Sequence, residues 1–527
     1  MRMAARRVRQ SARIGAAAAL ATLTAIALAG CVRPAPPAPS GYLQIDINTS
    51  PVNLDPRVAT DAISARVGEL VYNALARIDR DGRLVGDLAE SIERPAPTVI
   101  IFHLRHGVRF SDGRPLDARD VKYTYDSVLA PANHSIKRAG LAELAALDLI
   151  DDYTLRMTTR RPYAPALEMA LFGVVPRGTP LAPREAIAAP PGSGPFMVAG
   201  FTRDEALTLA RNPYYPAPAG AIRGIVMKVV PDATVRALEL AEGICAFAEN
   251  DAIQPELIGY LARRSALRVT RSDGTTYQYL IFNFRDARLR DLRVRRAIAY
   301  ALDRAAIVGA LMRGNARVAT GMLAPENWAY NGDVMRYPRD PARSRALLEA
   351  AGYSHAHPLR LVYKTTPEGR RLAEVIQAML RPVGVTLEIR TNEFATFYSD
   401  LRAGNFDLAA SQWVGVADPH QYYLVFASRM TPAGGGNNRG GYANPEMDRL
   451  LAAGDAALDP AARRAIYAQV QRLAAADLPY VSLWWIDNVA VFNRRLDGFA
   501  PFPNGSLISL AAARFAPAAA TARTPPR

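Results

Sequence analysis

Apolar and polar positions follow two periods along this chain, and the residues at the joints are those that start and stop regular structure. Residues 42–48 and 98–104 alternate as strands, and Asn53-Leu54-Asp55-Pro56 reads as a turn ahead of a helix over 61–76. In HLRHGVRFSDGRPLDARDVKYTYDSVL a strand gives way, at Ser-Asp-Gly-Arg-Pro, to a helix. Asp117 stands at its N-cap, Asp120 can bond back from three residues on, and Val121, Tyr125 and Val128 form one apolar face. Asp232 caps a helix with Val235, Leu238 and Ala241 on one side, stopped by Gly243. Asp291 begins another in which Val294, Ala297, Ile298, Ala301 and Leu302 keep the helical period. Asp340-Pro341 starts a helix that ends at Gly352, and Leu372, Val375, Ile376 and Met379 form the stripe of the next, before Pro382. A strand follows at 385–389, Asn444-Pro445 and Asp459-Pro460 launch two more helices, and 480–493 returns to strand. Helix followed by strand, repeated, predicts the α/β class.

Size and ends refine this picture. At 527 residues the chain exceeds one ordinary core, so two or three domains are expected. Arg2, Arg6, Arg7, Arg9 and Arg13 precede an apolar run over 14–29, which is short for a bilayer span and has the layout of a secretion signal. Pro34, Pro36, Pro37 and Pro39 then make a stiff, extended tether. Leu28-Ala29-Gly30-Cys31, where the two meet, resembles the bacterial lipobox. That resemblance implies a lipidated Cys31 as the first mature residue, holding the protein on a membrane face. Cys245 is the other cysteine; it has no partner for a disulfide and reads as a small buried apolar residue. The formal charge of +15 is carried almost entirely by arginine. Because the arginines are scattered among acids, and the chain is exported, nucleic acid is not an expected partner.

Longer stretches carry a stronger resemblance. LAESIERPAPTVIIFHLRHGVRFSDGRPLDARDVKYTYDSVL is similar to the signature of the bacterial extracellular solute-binding proteins of the dipeptide, oligopeptide and nickel family, receptors of ABC importers. GSGPF at 192–196, RNPYY at 211–215, YLIFNFRDARLRDLRVRRAIAYALDR at 279–304 and NNRGGYANPEMDRLL at 437–451 resemble it in the same order. The resemblance spans residues 42 to about 492 and implies a two-lobed periplasmic-binding-protein fold with a subdomain inserted in the first lobe and two crossing segments, placed near 276–283 and 483–489. Lobe I then takes 42–80, 192–275 and 488–515, the insertion 81–191 and lobe II 276–487, with a signal peptide at 1–30, the tether at 31–41 and a disordered tail at 516–527. Its implied partners are a peptide or small-molecule ligand, the permease and ATPase subunits, and a membrane through the lipid. The receptor is expected to act as a monomer, periplasmic or otherwise extracytoplasmic, with no cofactor.

Catalysis finds little support. No P-loop pattern occurs, and Gly192-Ser193-Gly194 lacks the spacing of a nucleophile elbow. His103 and His106 lie on or beside a strand, His355 and His357 form a lone HxH, and no metal site is expected. Binding chemistry concentrates in FDLAASQWVGVADPHQYYLVFASRMTPAGGGNNRGGY at 406–442, a strand that dissolves into aromatic, hydrogen-bonding and turn residues. Trp413 offers a broad face there, or fills the core at a strand end. The peptide-binding branch of the family places an aspartate three residues after this tryptophan, on the ligand's α-amine; here Val416 stands there, and Asp418 is the nearest substitute. His420 is placed near the cleft. Asn437, Asn438 and Tyr442 either read polar ligand groups or close the turn between Gly434 and Gly441. Tyr277 and Tyr279, separated by Gln278, share one face of the first crossing, while only one of Trp484 and Trp485 can face the cleft. The alternatives are a receptor for a nickel chelate, haem or oligosaccharide, or, from a different class, an exported hydrolase or chaperone-like scaffold on the same shell.

Overall fold

Two long antiparallel strands, Leu267–Phe282 and Tyr480–Asn493, run side by side through an 11-stranded sheet. They are seen in a computed structural model describing residues 39–59, 61–181 and 189–516; the signal segment, Cys31, most of the tether and nearly all of the tail lie outside the described residues. On one side of the pair stand Phe247–Glu249, Tyr42–Ile47, Gly224–Val229, Ala206–Arg211 and Phe196–Thr202, which build lobe I. On the other stand Leu408–Trp413, Leu359–Thr365 and Val385–Thr391, which build lobe II. Tyr42–Ile47 runs parallel to Gly224–Val229 and to Phe247–Glu249, and Leu359–Thr365 runs parallel to Val385–Thr391 and to Leu408–Trp413. Parallel neighbours require crossovers, supplied by the helices Ala233–Ala241, Arg370–Leu380 and Phe394–Ala403.

Strand alternation divides the crossing residues between two cores. Tyr277, Tyr279, Ile281 and Trp485 enter one buried cluster of lobe II, and Leu280, Phe282 and Trp484 enter the other, across the sheet. The pair's register shifts between Ser272 and Thr276, where Gly274 lies against the Ile486 carbonyl; a Cβ there would stand 2.1 Å from that oxygen. Where the chain passes between lobes the ladder is therefore bulged rather than replaced by a loop. The inserted subdomain is a four-stranded antiparallel sheet, Ala89–Ala96, Val99–Leu104, Thr154–Thr159 and Leu144–Asp151, packed on the helix Ala118–Leu129 around its own buried cluster.

Local chemistry accounts for the element ends. Asp117 and Asp120 form a complete capping box, a device whose loss costs about 1 kcal/mol. Leu292–Ala301 buries Val294, Ala297, Ile298 and Ala301, as its period requires. Ala233–Ala241 is capped by Asp232 as read, but its face is not the one expected: Val235 and Leu238 are 43% and 49% exposed, while Arg236, Ala237 and Leu240 are buried. Arg236 turns inward because its guanidinium donates to the carbonyls of Val230, Pro231 and Ala252. Two of the sequence motifs meet in space. A Cβ on Gly192 would stand 2.0 Å from the Val71 carbonyl oxygen, so the GSGPF turn can lie against the end of the helix Ala62–Val71. Asn212 of RNPYY donates to the Gly194 carbonyl at 2.9 Å, and the Arg211 guanidinium lies 4.6 Å from the Phe196 ring centroid.

Candidate ligand-binding site

Parallel strands leave their ligand crevice at their carboxyl ends. In lobe I those ends bring Asn48 and Glu249 together with Arg66 of the helix Ala62–Val71, whose guanidinium is 4.0 Å from Glu249, around a small cavity of about 30 Å³. Asp46 also borders it; burial and the nearby Glu239 raise its carboxyl to about 6, against the pull of Cys245 and Lys228. In lobe II the ends are Thr365, Thr391 and Trp413. Trp413 stacks on Tyr279, centroids 6.1 Å apart, and its ring centroid lies 4.8 Å from the Arg439 guanidinium. Arg439 is also 4.9 Å from the Tyr398 ring centroid and donates to its hydroxyl at 3.4 Å; among the described residues no carboxylate pairs with it. Phe394, 62% exposed, stacks on Tyr398, and Val414 is 47% exposed. Gly415, at φ +66°, carries lobe II up to Asn504 of lobe I: a Cβ there would stand 3.4 Å from the Asn504 Cβ. The wall of lobe II thus presents aromatic and apolar faces beside a cation held between rings.

The other residues singled out from the sequence are engaged within the protein. Val416 is buried in apolar surroundings and offers no polar group. Asp418 is not available as a substitute: its oxygens receive the Arg463 guanidinium at 2.6 and 2.8 Å, and Oδ1 also accepts the His420 backbone N–H. Tyr277 and Tyr279 share a face as expected, stacked 5.5 Å apart, but both are buried; Tyr277 bonds Ser482, and Tyr279 stacks on Tyr480. Asn438 closes the turn, donating to the carbonyls of Ala427 and Tyr442 and accepting from the Tyr442 N–H. Tyr442 donates to Asp477 at 2.6 Å, and the Asn437 backbone N–H donates to Leu424.

His420 departs furthest from expectation. It is buried, with Nδ1 2.8 Å from Asp455 of lobe II and Nε2 3.2 Å from the Tyr163 hydroxyl of the inserted subdomain. Burial disfavours charge on the ring, but the bond to Asp455 and the fields of Asp455, Glu168 and Asp418 outweigh it and hold its pKa above the usual histidine value. Opposite, burial and the carboxylates of Asp418 and Asp455 push Glu168 up to about 8, against His420 and Arg463. Arg161 completes the cluster at 3.9 Å from Asp455. Lobe I, through its insertion, is clasped to lobe II by a buried polar network. The residues on the lobe I side of this clasp, and the buried Arg439 with Tyr398 beside Trp413, were not picked out from the sequence.

Two lobes on a shared, bulged pair of strands, with the crevice at their facing strand ends, define a two-lobed solute-binding protein. Residues 83–434 match the model of the bacterial extracellular solute-binding proteins, family 5, and the chain belongs to that family. It is 27% identical over 514 residues to a probable di/tripeptide-binding protein of Pseudomonas aeruginosa, covering 89% of this chain and 95% of the relative. Two solved structures share the fold. A dipeptide-binding protein of Pseudoalteromonas in complex with Met-Leu matches 90% of this chain and 100% of its own, with a TM-score of 0.80 and 24% identity. NikA of Brucella suis in complex with Fe(III)-EDTA matches 90% and 99%, with a TM-score of 0.82 and 23% identity.

Proposed function

We propose that this protein is the receptor of an ABC importer that captures a short peptide between its lobes and delivers it to the permease. The observation that carries the peptide reading is the wall at Trp413: a stacking face beside Arg439, a cation without a carboxylate, which suits the carboxyl end and apolar side chains of a peptide. With Val416 apolar and Asp418 engaged by Arg463, the α-amine is not held by lobe II at either position. Ligand contacts with both lobes favour the closed state, and the chain acts by binding rather than catalysis. Lipidation of Cys31 places it on an extracytoplasmic membrane face, and Cys31→Ser is expected to release it from membranes.

The test is a thermal-shift screen of the purified mature chain against di- and tripeptides, metal chelates, haem and oligosaccharides. Peptides with a free carboxylate are expected to raise Tm in a saturable way, and C-terminal amidation to remove the shift. A shift confined to chelates, haem or sugars, or indifferent to amidation, overturns the peptide reading.

A further inference from the structure

Lobe II holds a larger space than the one beside Asn48 and Glu249, behind the Tyr279 ring on which Trp413 stacks. A cavity of about 170 Å³ is lined wholly by residues between Tyr277 and Ser482, none of them from lobe I. Arg304 borders it within the lobe, and Met335 and Arg336, both exposed, stand at its rim. Its walls are largely apolar, with Met322, Phe426 and Leu478 among them, and among the described residues no Asp or Glu lines it.

The two arginines set its electrostatics. Arg304 donates Nη1 to the carbonyls of Ala319 at 3.2 Å and Ser482 at 2.8 Å, and Nη2 to the Tyr337 carbonyl at 3.0 Å. These bonds employ only part of the five-donor fork of a guanidinium, and all three acceptors are neutral. Burial lowers the pKa of Arg304; Tyr277 opposes this, and the charge of Arg336 adds a smaller lowering. Arg336 itself donates to the Gly332 carbonyl at 3.2 Å. Carbonyls fix the position of Arg304 but leave its charge, and that of Arg336, without a counter-charge at the cavity. An anion between them relieves both the desolvation and the mutual repulsion. The volume sets the size of the body attached to it, since a cavity of roughly 150 Å³ accepts benzene.

We propose that this cavity is a second ligand site, separate from the interlobe cleft, for a small monocarboxylate with an apolar body the size of one ring, its carboxylate set between Arg304 and Arg336. The same space discriminates against two simpler occupants. An inorganic oxyanion leaves the apolar walls uncovered, and an uncharged ring leaves the arginines as they are.

Titration calorimetry of the full mature chain with benzoate, benzyl alcohol and inorganic phosphate tests this. Benzoate is expected to bind one to one, roughly tenfold or more tighter than either of the others. Arg336→Gln, at an exposed rim position, is expected to weaken benzoate roughly fivefold or more without lowering Tm. Ala475→Leu, which fills the cavity from the helix Pro460–Asp477, is expected to abolish binding. Saturating the cleft with a peptide that scores in the thermal-shift screen leaves benzoate affinity unchanged. Absence of benzoate binding, equal affinity for benzyl alcohol or phosphate, indifference to Arg336→Gln, or competition by the peptide overturns the proposal. The benzoate, benzyl alcohol, phosphate, Arg336→Gln and Ala475→Leu outcomes do not use a peptide, so failure of the peptide reading leaves them intact.

Discussion

Replacing His420 by Ala tests the clasp between the inserted subdomain and lobe II. Asp455 has no exposed side-chain surface, and its closest partner is His420 Nδ1 at 2.8 Å; the Tyr467 hydroxyl at 3.3 Å and Arg161 at 3.9 Å are weaker. Removing the imidazole strands a buried carboxylate and the Tyr163 hydroxyl. Breaking a buried pair in this way costs about 3–5 kcal/mol, and the two remaining partners of Asp455 place the expected loss near the lower end, ~3 kcal/mol. Adding Asp455→Asn removes the stranded charge, so the double variant is expected to be more stable than His420→Ala alone. The assay is urea unfolding with fluorescence and circular dichroism recorded together, compared by midpoint at constant m-value. The pH dependence follows with a definite sign. His420 has its pKa raised in the folded protein, so its contribution is complete below the unfolded value and is lost as pH rises through the folded one. Glu168, raised from 4.5 to about 8, also favours the protonated form, so folding loses stability as pH climbs from 4.5 towards 8. Stability is therefore expected to fall as pH rises from about 4.5 to about 8, with His420 adding to the loss above its usual value of 6.5, and Glu168→Gln to flatten that slope. An unchanged midpoint for His420→Ala, or a double variant less stable than the single, would refute the reasoning.

Three further substitutions separate binding from scaffold. Trp413→Ala is expected to weaken a bound peptide about tenfold or more in calorimetry, through loss of the stacking face and of its contact with Arg439; an unaltered affinity removes the tryptophan from the site. Asp418→Ala strands the buried Arg463 guanidinium and is expected to lower stability by about 3 kcal/mol while leaving ligand affinity intact; a selective loss of affinity would restore Asp418 as a ligand contact. Gly274→Ala drives a Cβ against the Ile486 carbonyl and is expected to cost about 1–3 kcal/mol and to reduce ligand-induced compaction in small-angle scattering; a normal midpoint and normal compaction would show that the bulge does not govern closure.

The residues that proved legible in advance are those whose chemistry is local. Asp117 with Asp120, Asp291, Asn444-Pro445 and Asp459-Pro460 all mark observed helix starts, because an N-cap acts within a few residues of itself. The strand Tyr480–Asn493 has the bounds read for it from the sequence. The inward face of Ala233–Ala241 was misjudged because Arg236 is buried by carbonyls up to sixteen residues away, which outweigh the exposed stripe of Val235 and Leu238.

By itself the sequence determined the order of elements, the α/β class and, through ordered motifs, the family, since these are written in short-range periods, caps and turns. Tertiary structure alone decided what the polar residues do. His420 meets a tyrosine 257 positions away, Asp418 is taken by Arg463 45 positions on, and Arg439 finds Trp413 and Tyr398 only because a turn and a helix converge at one strand end. The reason is physical: a cap or a period is satisfied within one element, whereas a buried charge or aromatic face takes its partner from whatever element the packed core brings within a few ångströms.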